Sequence, residues 1–352
     1  MRKICVAASL PVVLMCSAQA QSNVTLYGVA DVFAEYGKAG TQAAPTTNSK
    51  LRSGGLNGSR LGFKGTEDLG NGLSANFVLE HGILLDSGTQ ASAAGFWNRQ
   101  AYVGLSSTGW GALTAGRQYT PLLVHQDTFD PAICTTGYGS AYNTGVMRTI
   151  SRANNSVLYA SPNFGGLTGT LMAALGENAL GAHYGFISSG SLKYAGGPAA
   201  VGVAYLHQNK TTATQVGKSI VNVSGSMKFG AFQLIAGLQH TDNDIQNANV
   251  KDNRNEYLLG GVYSFGQSQV RVSYGQATVK DADSSTVRHG SIGYLYNLSK
   301  RTALYGAVQA IKNPDNLAYR TAGYTYDAID DGPPAGAGVN ARAIGIGMRH
   351  RF

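Results

Sequence analysis

An antiparallel β-barrel that crosses a membrane with about sixteen strands is the fold class the sequence predicts. Three observations predict it. Side chains alternate with period two between short turns, the turns recur at nearly constant spacing, and no stretch beyond the first twenty residues holds 18 consecutive apolar residues. The last observation excludes a helical membrane protein, whose spans need about 20 such residues.

The first twenty residues have the layout of an export signal: Arg2 and Lys3, an apolar stretch over 4–15, then Ala18-Gln19-Ala20. Cleavage is expected after Ala20, which leaves 21–352 as the barrel domain. Cys16 raises a lipidated signal as an alternative, but Met15 is a poor residue before a lipidated cysteine. Of three cysteines only Cys134 survives cleavage, so no intramolecular disulfide is available. Loss of Arg2 and Lys3 lowers the formal charge from +8 to +6 over 332 residues. The remaining Lys and Arg are scattered from Lys38 to Arg351, without the concentrated stripe of a nucleic-acid binder. Mean hydropathy is slightly negative, and Gly (47) and Tyr (19) are abundant. Strands with one lipid-facing and one water-facing file average to that composition.

Turn punctuation lies at 68–72, 107–111, 161–166, 195–198, 228–231, 264–268 and 297–302. By subtraction the starts are 39, 54, 34, 33, 36 and 33 residues apart. A period near 35 also suits helical solenoids and propellers, so the content of each unit decides. Leu61 and Phe63 alternate with Arg60, Gly62 and Lys64; Val270, Val272 and Tyr274 alternate with Arg271, Ser273 and Gly275. Helical spacing is absent. Each unit therefore reads strand, long loop, strand, short turn, and seven turns plus a first and a last strand give the strand number.

An open sheet in hydrocarbon would leave its edge N–H and C=O groups unpaired, so the strands must close on themselves. Loops at 37–56, 120–150 and 314–340 are expected at the end opposite the tight turns. Tyr27, Phe63, Tyr102, Tyr159, Phe265, Tyr294 and Tyr305, near strand ends, are expected in two interfacial girdles. Alternation is imperfect around 24–36 and 302–312, where faces are not assigned. At the C-terminus Ile344, Ile346, Met348, His350 and Phe352 share one face, with Arg349 and Arg351 on the other.

The segments VTLYGV (24–29), GSRLGFKGTEDLG (58–70), NRQAYVGL (98–105), GRQYTP (116–121), NSVLY (155–159), SPNFGG (161–166) and RHRF (349–352) together resemble the porin family of β-proteobacteria. The resemblance runs from the strand after the signal to the last residue. It implies a sixteen-stranded homotrimer in the Gram-negative outer membrane, among outer-membrane lipids and lipopolysaccharide, with Phe352 part of the signal read by the barrel assembly machinery. It also implies that the third loop, which produces the 54-residue interval, folds into the lumen and narrows it.

Porins similar to this chain set basic side chains on the wall against acids on that loop. Arg60, Arg99 and Arg152 are first choices for the basic wall, with Lys64 and Arg117 second. Arg60 and Lys64 share the polar face of an alternating strand, which aims both at the lumen without reference to family. A lipid-facing Arg or Lys at mid-depth would cost about 2–4 kcal/mol. Asp127 and Asp130 are the expected loop acids and Glu80 a possible lumen acid. The loop departs from the enteric porins, since it has no Pro-Glu-Phe-Gly-Gly segment. Five basic candidates against three acids predict anion preference.

Catalytic and metal patterns fail on inspection. No Ser has Gly both two before and two after it. Gly217-Lys218-Ser219 ends like a phosphate loop, but Thr212 stands where its first Gly belongs. Asp242-Asn243-Asp244 opens like a calcium loop, yet Asn247 and Asn253 replace the turn Gly and the bidentate Glu. No cofactor or metal is expected, and the chain is not expected to be an enzyme. Passive diffusion of ions and small hydrophilic solutes is the leading reading. A solute-specific anion channel and, from another class, a barrel enzyme or adhesin are the alternatives.

Overall fold

The structure, a computed structural model, describes residues 23–40, 45–93, 95–132, 137–181, 183–213, 216–242, 253–280, 285–314 and 338–352. The expected signal, Cys134 and most of 314–340 lie outside them.

Sixteen strands form the wall: β1 Asn23–Gly40, β2 in two arms (Pro45–Ser53 and Arg60–Gly70), β3 Leu73–Leu84, β4 Gln100–Ser107, β5 Gly111–Tyr119, β6 Arg152–Ala160, β7 Leu167–Ala174 and β8 Ile187–Gly196. The second half comprises β9 Ala199–Gln208, β10 Lys218–Phe229, β11 Phe232–Asp242, β12 Arg254–Phe265, β13 Ser268–Val279, β14 Ser285–Asn297, β15 Thr302–Lys312 and β16 Ala341–Arg351. Each pairs antiparallel with its neighbours, and the ring closes where β1 meets β16, from Val29 opposite Arg351 to Lys38 opposite Arg342. The Phe352 carbonyl accepts from Gly28 N at 3.1 Å, so the ladder is sealed to the last residue. Thr89–Gln90 folds back on β3 outside the ring.

All seven predicted turns join consecutive strands. The tightest are two residues long, such as Gly230-Ala231 between Phe229 and Phe232, where Gly230 (φ 59°) takes a left-handed conformation that costs other residues more. Leu192, Val203, Val223, Leu238, Leu259, Val272, Ile292, Val308 and Ile346 stand exposed on the outer face, which is the pattern of a lipid-facing belt.

Two expectations are corrected. Strand pairing continues to Gly40 and resumes at Pro45, so most of the loop expected at 37–56 is strand. Tyr27, Tyr102 and Tyr305 are not in the girdles. Their strand parity points them inward, and the Tyr27 and Tyr305 hydroxyls donate to Glu80 and Asp31. Phe63, Tyr159, Phe265 and Tyr294 do stand on the outer face.

The two arms of β2 pair with successive halves of β1, and residues 54–59 between them leave the ladder and turn inward. Asp31 holds this excursion. Its carboxylate accepts from Gly55 N (3.0 Å), Leu56 N (2.9 Å), Asn57 N (2.9 Å) and the Tyr305 hydroxyl (2.6 Å). The Ser59 hydroxyl donates to the Asp31 carbonyl at 2.9 Å. Leu56 then packs with Phe33, Tyr138, Leu295 and Tyr305 in an apolar cluster inside the barrel. Because Asp31 is fully buried, removing its carboxylate strands several donors. Asp31→Ala is expected to lower stability by about 3 kcal/mol, measured as a lower temperature for loss of the fast-migrating folded form on denaturing gels.

Candidate functional site

The long connection from β5 to β6 folds into the lumen. Its first part is a helix, α1 Pro121–Thr128, begun by Thr120, whose side chain accepts from Leu123 N at 3.1 Å, and by Pro121 in the first turn. Leu122 lies among Ala153, Met172, Ile187, Leu206 and Ile220 on the inner wall of β6–β10, so this stretch of the interior is apolar where the helix covers it. His125 Nε2 meets Asn222 Oδ1 at 2.9 Å, and Gln126 Nε2 donates to Gln239 Oε1 at 2.7 Å.

Beyond the helix, polar anchors continue along the wall. Glu256 accepts from Arg148 N (2.9 Å), Gln239 Nε2 (2.6 Å) and the Thr241 hydroxyl (2.8 Å), with Arg254 Nη1 at 4.0 Å. Arg254 Nη2 donates to the Val146 carbonyl, Arg271 Nη1 to the Pro131 carbonyl and Ser291 Oγ to the Gly139 carbonyl. Tyr138 N closes the circuit by donating to Gly55 O on the β2 excursion at 2.6 Å. The loop is thus tied to the inner wall from β7 round to β2.

A second constellation gathers on β2, β3 and the ends of β4–β6. Glu80 on β3 is its centre: Arg99 Nε donates to Oε1 at 2.7 Å, Arg60 Nη1 lies 3.7 Å from the same oxygen, and the Tyr27 hydroxyl donates to Oε2 at 3.1 Å. Tyr119 joins Arg152 to the group. Its hydroxyl accepts from Arg99 Nη2 at 2.5 Å and Arg152 Nη2 at 3.3 Å, and the Arg152 guanidinium lies 4.8 Å from its ring centroid. Lys64 Nζ stands 5.4 Å from the Tyr27 ring. Three guanidiniums and one carboxylate leave a surplus of positive charge, partly accommodated by the negative faces of two phenol rings. A cationic wall in a narrow aqueous passage raises the local concentration of anions.

A closed barrel, a third loop tied across its interior and a charged wall define a channel. The family profile described as Gram-negative porin matches residues 7–316. The chain belongs to the Gram-negative porin family. It is 32% identical to outer membrane porin protein 32 of Delftia acidovorans, covering 96% of both chains. It is 30% identical to the major outer membrane protein P.IB of Neisseria meningitidis serogroup A, covering 98% of this chain and 97% of that one. Among solved structures, the anion-selective porin from Comamonas acidovorans superposes with a TM-score of 0.80 at 30% identity, covering 94% of this chain and all of that one. The trimer form of OmpT from Vibrio cholerae, at 14% identity and a TM-score of 0.68, shares the fold. Passive passage of solutes through the outer membrane follows from membership.

In this porin the predicted residues divide. Arg60, Arg99 and Arg152 come together around Glu80 and Tyr119, and Lys64 sits beside them. Arg117 does not join the cluster through its observed bonds: it stands opposite Ala101, in line with the outward Val103–Ala115 pair, and bonds to the Asn98 carbonyl and to Asn154 Oδ1. Asp127 is exposed on the helix. Asp130 is buried within the loop itself, where Ser140 Oγ and Ala132 N donate to it. Sequence reasoning missed Asp31, the Glu35–Arg52 pair (3.1 Å), Tyr119, Arg254 and Glu256. Arg254 and Glu256 alternate with Asn255 and Tyr257, a period-two signal that was available.

Glu256→Ala removes the acceptor of three loop and wall donors, a loss of about 3 kcal/mol to loop attachment. Single-channel conductance in planar bilayers is expected to rise, with larger current fluctuations than in the native porin. A pH effect follows from Asp130: burial pushes its carboxyl up to about 6 from the ordinary 3.8, against the opposing hydrogen bonds from Ser140 and Ala132. Its folded pKa being raised, the packed loop gains stability that is full below the ordinary value and lost as pH rises through about 6. Acidification also removes a negative charge from the lumen. The reversal potential in a salt gradient is expected to move toward anions as pH falls through that range, and the step should vanish in Asp130→Asn.

Proposed function

We propose that this porin is a homotrimeric general diffusion channel with a preference for anions, and that Arg60, Arg99 and Arg152 set the preference from one side of a constriction formed with the inserted loop. The observation that carries the reading is the gathering of Arg60 and Arg99 around the carboxylate of Glu80, with Arg152 joined to Arg99 through the Tyr119 hydroxyl. The anion-selective porin to which the chain is similar supports it. Among the described residues, the acids that face the interior are largely engaged. Asp31 is held by backbone N–H groups, Glu35 by Arg52, Glu80 by Arg99, and Glu256 by Arg148 N and its neighbours. A fixed positive wall whose buried neighbouring acids are already engaged favours chloride and carboxylate solutes over cations. Residues 1–20 act in this reading as the export signal and 21–352 as the channel domain, with no catalytic role.

Replacing Arg60, Arg99 and Arg152 together by Gln, with Glu80→Gln to avoid an unpaired buried carboxylate, is expected to move the reversal potential in a potassium chloride gradient toward cation preference. An unchanged potential removes the cluster from the constriction. Saturation of current by one anion at low concentration would instead point to a solute-specific channel.

A further inference from the structure

We propose that Tyr119, an uncharged residue at the neck of the inserted loop, is a specificity-determining residue of the channel: its hydroxyl positions the Arg152 guanidinium beside the other cations of the wall. The inference rests on the anion-preferring reading given above and names the group on which that preference turns.

Tyr119 is the last residue of β5 and stands directly opposite Arg152, the first residue of β6. Between them the chain leaves the ladder for the whole of the inserted loop, so these two residues are its roots. Thr120 N donates to the Ser151 carbonyl at 3.1 Å and the Thr120 hydroxyl to the Ile150 carbonyl at 2.5 Å, which fastens the neck just beyond them. An Arg side chain has several rotatable bonds, and at a strand end the ladder fixes its backbone on one side alone. Strand pairing by itself therefore does not aim the Arg152 guanidinium.

The phenol supplies the aim. Its single oxygen accepts from Arg99 Nη2 at 2.5 Å and from Arg152 Nη2 at 3.3 Å, and the hydroxyl donates in turn to Glu80 Oε1 at 3.5 Å. Two like charges thus share one acceptor, and they repel once that oxygen is gone. Arg99 is held independently of it, since its side chain is buried and its Nε donates to Glu80 at 2.7 Å. Arg152 is the member that the hydroxyl brings to the group. The ring acts separately, with the Arg152 guanidinium 4.8 Å and the Arg99 guanidinium 6.0 Å from its centroid.

Phe has the same ring without the oxygen. Tyr119→Phe therefore keeps the formal charge and the cation–π faces and removes the shared acceptor. Ion preference in a narrow passage depends on where fixed charges sit as well as on their number. A change of preference in a neutral-for-neutral variant reports that a guanidinium has moved.

The test measures the reversal potential of the full processed chain in planar bilayers under a potassium chloride gradient, for the native porin, Tyr119→Phe, Arg152→Gln and the double variant. Tyr119→Phe is expected to shift the potential toward cation preference by at least about half as much as Arg152→Gln does. The double variant should shift it no further than Arg152→Gln alone, because the hydroxyl then has no second guanidinium to place. Tyr257→Phe, which removes a hydroxyl from the outer face, should keep the native potential. On denaturing gels the folded form of Tyr119→Phe should persist to nearly the native temperature. Should that variant not fold, Tyr119→Leu, smaller and equally without an acceptor, is read in its place with the same outcomes. An unchanged potential in the Tyr119 variant, whatever its thermal stability, or additive shifts in the double variant would overturn the role of Tyr119. The native potential separates the two readings: a native channel that prefers cations sinks the anion reading, whereas an anion-preferring channel indifferent to Tyr119→Phe sinks this one alone.

Discussion

The pairing of the first strand with the last carries the rest of the structure. In hydrocarbon an unpaired N–H or C=O costs several kcal/mol, and a sheet with two free edges would expose two rows of them. The β1–β16 ladder, continued to the Phe352 carbonyl, removes both edges at once. Closure also creates the interior, and with it a place where Arg60, Glu80 and Arg99 can be charged inside a membrane.

The interior is not uniformly polar, and the inserted loop is the reason. Where α1 and the loop residues press on the wall, inward positions are apolar: Leu206 and Ile220 under the helix, Ile311 and Ala341 beside Val146, Phe33 and Leu295 beside Tyr138. Elsewhere the inward positions hold the arginines, acids and amides that anchor the loop or face the passage. Asp31 links these roles, since the excursion it holds supplies both Leu56 to the cluster and the Gly55 carbonyl to Tyr138.

This arrangement explains where the sequence was legible and where it was not. Strands with lipid on one side and water on the other, such as β13, alternate visibly, with Val272 and Tyr274 outward and Ser273 inward. On β1 and β15, Phe33, Tyr305 and Ile311 point inward among polar neighbours, so the period-two pattern is blurred by an apolar contact from a segment more than a hundred residues away in the chain. For the same reason the girdle expectation fails at Tyr27 and Tyr305: aromatic rings near strand ends look alike whether the hydroxyl meets a headgroup or a buried carboxylate. Arg60 and Lys64 could be aimed at the lumen from parity alone, whereas Arg99 and Tyr119 lie just outside or at the ends of strands, where parity gives no direction.

By itself the sequence determined the strand number, the position of every tight turn, the closed topology and the location of the long loop. Those follow from local chemistry: turn residues, period-two alternation and the cost of an unpaired backbone in lipid. Only the tertiary structure decided which charges meet, that Glu80 draws Arg60 and Arg99 together, that Asp130 is enclosed within its own loop and that Arg117 bonds to the Asn98 carbonyl and Asn154. Those outcomes depend on the path of a 31-residue connection between Tyr119 and Ser151 across the lumen, set by contacts with β-strands distant in sequence, and no local pattern encodes such contacts.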